Sequence, residues 1–199
     1  MARSTSTSGR STDAPRDAIA LLKQDHRTVS ALFEEFEKAD DEEQAAIAQR
    51  VCQLLTVHAT IEEEILYPAA KEAFDGEEEH EDLVNEAEVE HGSAKELIAK
   101  IESMSSGDEH FKATVTVLGE YIKHHVKEEE NELFPQLKKT ELDLKELGGQ
   151  LADRKFALME QLGIEEQEPP QPRKRSAGRA SRGASRSKSS RRSGSRARH

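Results

Sequence analysis

Two stretches, HATIEEEILYP at residues 58–68 and HVKEEENELFP at 125–135, carry one pattern written twice. Each sets a His, a Glu four residues later, and then Leu, an aromatic residue and Pro at matching offsets. Residues four apart lie one above the other on a helix face. Both stretches are therefore helical text, with a Pro that kinks or ends the helix. Upstream, Asp25-His26 is matched by Glu90-His91. His26 and His91 are 65 residues apart, and 67 residues separate both His58 from His125 and Glu62 from Glu129. The chain reads as two helical hairpins of one kind, with a pseudo-twofold axis that turns one set of polar residues towards the other.

Apolar steps of three and four extend outward from these stretches and define four amphipathic helices. The first stripe is Ile19, Leu22, His26, Val29, Phe33 and Phe36, with Asp13 and Pro15 at its entry. The second, capped by Asp40-Asp41, runs Ile47, Val51, Leu55, His58, Glu62, Ile65 and Ala69. A third helix begins near Glu77 and presents Val84, Ala87, His91, Ala94, Ile98 and Ile101. After Gly107-Asp108, a fourth presents Phe111, Val115, Leu118, Ile122, His125, Glu129 and Leu133. Short connections make neighbours antiparallel, so the expected fold is all-α, an up-down-up-down four-helix bundle. The expected organisation is an N-terminal segment 1–12, a bundle 13–139, an additional helical segment 140–164 and a tail 165–199. Gly148-Gly149 is expected to interrupt the additional helix.

Composition limits the function classes. The chain has 199 residues, 35% charged and 4% aromatic. It lacks an apolar run of membrane-spanning length and an N-terminal signal core, so a soluble cytoplasmic protein is expected. Cys52 is the single cysteine, which excludes an internal disulfide and thiolate-rich zinc sites. It reads as a small buried residue. The net charge of −11 is uneven: residues 171–199 hold 11 Lys/Arg and no acid, whereas the body is strongly acidic. An Arg/Ser-rich tail of that kind cannot build a core. It suits sequence-independent contact with nucleic acid, or serves as a solubility tail, or folds back on the acidic body.

Each apolar stripe carries a His near its middle, and the second and fourth also carry a Glu. Buried carboxylates without a counter-charge are costly, and no Lys or Arg falls on the stripes near them. Bound cations solve this directly. Four imidazoles and two carboxylates suit Fe, Mn or Zn and disfavour Cu(I) and calcium. The candidate metal ligands are His26, His58, Glu62, His91, His125 and Glu129.

On these motifs the chain resembles the hemerythrin-like HHE cation-binding family over residues 17 to about 139. The resemblance implies a four-helix bundle holding two iron ions, with His26, His58, His91 and His125 as terminal ligands and Glu62 and Glu129 as bridges. One position departs from the pattern. Oxygen-carrying members have a second His four residues before the third-helix His, and here that position is Ala87. Water, Glu88 or an exogenous ligand are the candidates to fill the position. Tyr121, four residues before His125, is a candidate for hydrogen bonding behind the ligands; Tyr67 reads as a packing residue.

Three functions follow as expectations. The first is binding or sensing of O2, NO or a related small oxidant at an open iron position. The second is an oxidative-stress enzyme that consumes peroxide at the same centre. The third is an iron or redox sensor, or iron-handling protein, whose basic tail associates with nucleic acid. No acid–base group beyond the ligands stands out, so no catalytic residue is assigned.

Overall fold

The computed structural model describes residues 17–164. The entry signals at Asp13 and Pro15, the 1–12 segment and the basic tail lie outside them. The first helix, α1 (Ala18–Phe36), is capped by Asp17, which accepts the Ala20 N–H at 2.8 Å. Asp40 caps α2 (Asp41–Ile61) by accepting from the N–H groups of Glu42 and Glu43. The acids Asp41, Glu42 and Glu43 then sit in the first turn, where the helix dipole favours negative charge.

A π turn, Glu62–Leu66, continues α2 into α3 (Tyr67–Phe74). Pro68 accounts for it. Proline has no N–H, and in an α-helix its ring would press on the carbonyl four residues back. The widened turn avoids this, with the Tyr67 N–H bonded to the Glu62 carbonyl instead. The pattern repeats before Pro135: α5 (Phe111–Glu128) passes through a π turn, Glu129–Leu133, into α6 (Phe134–Leu137). Both prolines therefore leave their helices continuous but wider.

The wide turn also changes which residues face inward. Because it holds one extra residue, the buried stripe beyond it shifts by one position. Leu66, Tyr67 and Ala70 are fully buried, whereas Ile65 and Ala69, placed on the stripe by α-helical spacing, are only partly so. The chain then turns through Asp75 and Gly76, both left-handed, into α4 (Glu78–Glu102).

The helices α1, α2, α4 and α5 pack α1 on α2, α2 on α4, α4 on α5 and α5 on α1, closing a four-helix bundle. The last described helix, α7 (Leu144–Gln161), lies against α1, α2 and the first π turn. It runs unbroken through Gly148-Gly149, contrary to the expected interruption. Gly148 serves close approach: a Cβ there would sit 2.6 Å from the backbone nitrogen of Ala18. Among the described residues, no helix is long and apolar enough to cross a membrane.

Two apolar clusters fill the bundle. One gathers Leu22, Ile61, Leu66, Tyr67, Phe134 and Leu151, and the other gathers Val29, Phe36, Val51, Leu118 and Ile122. Cys52 lies in the second, and burial together with the Glu102 charge pushes its thiol up to about 12. The buried polar residues on the bundle axis lie between these clusters.

Candidate metal centre

The six candidate ligands come together and are all buried. His26, His58, His91 and His125 are at most 5% exposed, and Glu62 and Glu129 at most 1%. Their spacing brings them there. His58 and Glu62, like His125 and Glu129, project from one helix face at i and i+4, and each Glu opens its π turn. Such turns are frequent at functional sites.

The imidazoles form two pairs. His26 Nε2 lies 3.2 Å from His58 Nε2, and His91 Nε2 lies 3.1 Å from His125 Nε2. Two nitrogens held about 2.1 Å from one ion at a right angle would be about 3.0 Å apart. Each carboxylate spans both pairs. Glu62 Oε2 is 3.2 Å from His58 Nε2 and 3.4 Å from His91 Nε2. Glu129 Oε2 is 3.2 Å from His26 Nε2 and 3.6 Å from His125 Nε2. The ligand atoms fall into two groups, His26-His58-Glu62-Glu129 and Glu62-His91-His125, which share Glu62.

Three of the four oxygens on these carboxylates, both of Glu62 and Oε2 of Glu129, have no hydrogen-bond partner. Buried polar atoms in that condition are costly. A cation among them would satisfy all three, so the residues present fit a metal pair. The protonation pattern agrees. Burial and the neighbouring Glu129 charge push Glu62 well above the usual carboxylate range. Burial also opposes ionisation of Glu129, but His125 and His26 outweigh it and hold that carboxyl low. One proton thus stays with the pair. Burial lowers His58, and burial and His125 push His91 down to about 3, which leaves both rings neutral and able to bind metal.

Each outward Nδ1 meets a carboxylate. His26 Nδ1 donates to Glu130 at 3.0 Å, His91 Nδ1 to Glu63 at 3.1 Å and His125 Nδ1 to Glu90 at 2.7 Å. His58 Nδ1 stands 3.7 Å from Asp25. Lys23 grips Glu130, Lys95 grips Glu63 and Lys155 of α7 grips Asp25. Carboxylate–imidazole pairs of this kind fix the tautomer that turns Nε2 inward. Burial and the Glu129 and Glu90 carboxylates act oppositely on His125 and leave it raised.

Residues 17–137 match the family described as the hemerythrin HHE cation binding domain. The chain belongs to the hemerythrin HHE family. A curated relative, named a DNA nickase, from Nostoc sp. is 30% identical over 119 residues. That match covers 59% of this chain and 32% of the relative, so the chain spans about a third of its length. The crystal structure of a hemerythrin HHE cation-binding domain-containing protein from Mycobacterium kansasii superposes with a TM-score of 0.62 at 23% identity. It covers 73% of this chain and 88% of that one, and supports the fold.

Two residues expected near the hemerythrin-like site are not brought to it. Glu88 is exposed and paired with Lys71 at 2.9 Å, so it does not replace the ligand absent at Ala87. Tyr121 packs at the edge of the other apolar cluster. The tyrosine at the site is Tyr67, whose hydroxyl donates to Glu129 Oε1 at 3.0 Å and lies 3.2 Å from His91 Nε2. α-Helical spacing places it beside the stripe; the π turn carries it in. Phe134, its equivalent in the repeat, stacks on His26 with ring centroids 5.9 Å apart. The Asp25-His26 and Glu90-His91 dipeptides carried the signal for two of the outer carboxylates, since the same doublet recurs in both halves.

Proposed function

We propose that this chain is a non-haem di-iron protein that binds or senses a small oxidant such as O2 or NO. The observation that carries the reading is the pair of buried carboxylates with three unpartnered oxygens, each carboxylate reaching both imidazole pairs. His26, His58, His91 and His125 would hold the metals from outside, and Glu62 and Glu129 would lie between them. Iron, when bound, supplies Fe(II)/Fe(III) chemistry and an open coordination position. Imidazole and carboxylate also suit Mn and Zn; the resemblance favours iron.

The chain's own residues shape what reaches that position. An apolar cavity lined by Val29, Leu55, Ala94, Ile98 and Ile122 opens onto all four histidines. Such a lining admits a small uncharged molecule and excludes ordered water. Asp25, Glu63, Glu90 and Glu130 keep the imidazoles oriented, and Tyr67 holds Glu129.

A second reading is peroxide consumption at the same centre, favoured by Tyr67. Burial and the Glu129 and Glu62 charges push its hydroxyl well above the usual phenol range, so it keeps its proton. An O–H donor therefore stands beside Glu129.

Metal analysis of the purified chain after anaerobic Fe(II) loading tests the reading. Two irons per chain are expected, with uptake falling sharply in His58→Ala and Glu129→Ala. Uptake of none, or uptake untouched by both substitutions, would overturn it. Adding O2, NO or peroxide under optical observation then separates the two activities. A reversible band supports binding, and gas evolved from peroxide supports consumption.

A further inference from the structure

The two halves of the bundle, alike at the ligands, differ in what covers them. In the first half, positions 21, 22, 57 and 61 are Leu21, Leu22, Val57 and Ile61, all buried. Leu21, Leu22 and Ile61 pack in one cluster with Leu147 and Leu151 of α7, and Val57 packs with Met159 and Ile164. Lys155 of α7 sits on Asp25. In the second half, the repeat-equivalent positions are Glu86, Ala87, His124 and Glu128. Glu86 and His124 are exposed, and Glu90, the equivalent of Asp25, has no lysine among its hydrogen-bonded partners.

That difference leaves an opening. A cavity walled by Glu86, Ala87, Glu90, Glu128 and Glu132 has His125 and Glu129 among its lining residues. Ala87 helps make the room, because its repeat equivalent is the much larger Leu22. At the surface, His124 Nε2 lies 3.0 Å from Glu128 and 4.0 Å from Glu90. Ligand atoms from these three residues fall within 4.8 Å of one another. Glu90 also reaches inward, accepting from His125 Nδ1. Acidity alone would not make a site. Here an imidazole joins the acids, and the cavity meets Glu129, whose Oε2 is buried without a hydrogen-bond partner.

We propose that Glu90, His124 and Glu128 form a capture site for a divalent metal cation, and that the cavity at Ala87 is the port by which the cation reaches Glu129 and His125. The proposal rests on the metal-binding reading above. Exposed carboxylates concentrate the cation and draw it in. His124 and Glu128 replace part of its water shell at the surface, and unpartnered Glu129 Oε2 receives it inside. The opposite side is closed to cations by apolar packing and by the positive charge of Lys155. The metal pair thus has a loading side.

The test uses the full-length metal-free chain and Fe(II) under anaerobic stopped flow. His124→Ala and Glu128→Gln are expected to slow uptake about tenfold or more at low ionic strength, with the same final stoichiometry. Ala87→Leu, which fills the port as Leu22 fills its counterpart, is expected to slow uptake with the surface cluster intact. Glu64→Gln, which alters an exposed acid paired with Arg154 on the α7 side, is expected to load at the native rate. With the inner pair first filled by Zn(II), Mn(II) resonance is expected to detect one further weak site that His124→Ala removes. Native-rate loading in His124→Ala, Glu128→Gln and Ala87→Leu overturns the port. A native chain that takes up no metal overturns the metal-binding reading, and the port with it.

Discussion

Tyr67 donates a hydrogen bond to Glu129 Oε1 across the bundle, while Phe134, its counterpart in the repeat, offers only a ring face to His26. The two carboxylates therefore differ: Glu129 has one oxygen satisfied by protein and Glu62 has none. Replacing Tyr67 with Phe makes the halves alike and leaves Glu129 Oε1 unpartnered. The metal-free chain is expected to lose about 1–3 kcal/mol, read by urea unfolding. Metal affinity should fall roughly 10–100-fold at unchanged stoichiometry. Native affinity in Tyr67→Phe would show that the hydroxyl does not support the ligand.

Glu62 gives the metal-free chain a distinctive pH dependence. Its folded value is raised from an ordinary value of 4.5. A raised carboxyl contributes stability that is whole below pH 4.5 and is lost as pH climbs through the folded value. The slope approaches about 1.4 kcal/mol per pH unit. His58 and His91, lowered by burial, act in the opposite direction below their ordinary value of 6.5. Comparison with Glu62→Gln isolates the carboxyl. The variant should gain on the native chain as pH rises above 4.5, in urea midpoints measured without metal. Parallel curves would contradict the assignment.

Gly148 and Gly149 are adjacent in α7 but should respond oppositely to alanine. A Cβ at 148 would meet the backbone of Asp17 and Ala18, whereas one at 149 meets nothing within 4 Å. Gly148→Ala should cost about 1–3 kcal/mol by forcing α7 off α1. Gly149→Ala should gain about 0.5–1 kcal/mol from helix propensity. Thermal melts of the two variants decide this, and equal shifts would mean that α7 does not dock through Gly148.

The basic residues of 171–199 are expected to give the chain sequence-independent affinity for nucleic acid. Retention on DNA at low salt should vanish when 171–199 is deleted, and should fall steeply with salt in the intact chain. Unchanged retention after deletion would end that reading.

Much of the site was legible in the sequence because its signal is spacing. His58 with Glu62, and His125 with Glu129, declare a shared helix face, and repetition 67 residues apart turns a chance pattern into a paired site. What spacing alone could not show depends on the π turns. An α-helical count puts Ile65 and Ala69 inward and Tyr67 to the side, because it assumes a constant turn. Pro68 was visible as a perturbation, but not as one that widens the helix without breaking it. Gly148 was misleading for a related reason: glycine signals a break locally, and close packing only when Ala18 is known to lie against it. The outer carboxylates fell in between. Glu63 and Glu130 follow the central acids directly, yet only the crossing helices show which imidazole each one meets.

The π turns have a last consequence for how this chain can vary in length. From Glu62 to Pro68 and from Glu129 to Pro135 the count is the same, six residues. Each interval acts as a ruler rather than a spacer. Losing one residue between Glu62 and Tyr67 would let the helix close to regular pitch with all six candidate ligands still in the sequence. Tyr67 and the apolar residues after it would then rotate by about 100° to a different face. Substitution could be tolerated in these segments, but a change in their number would not.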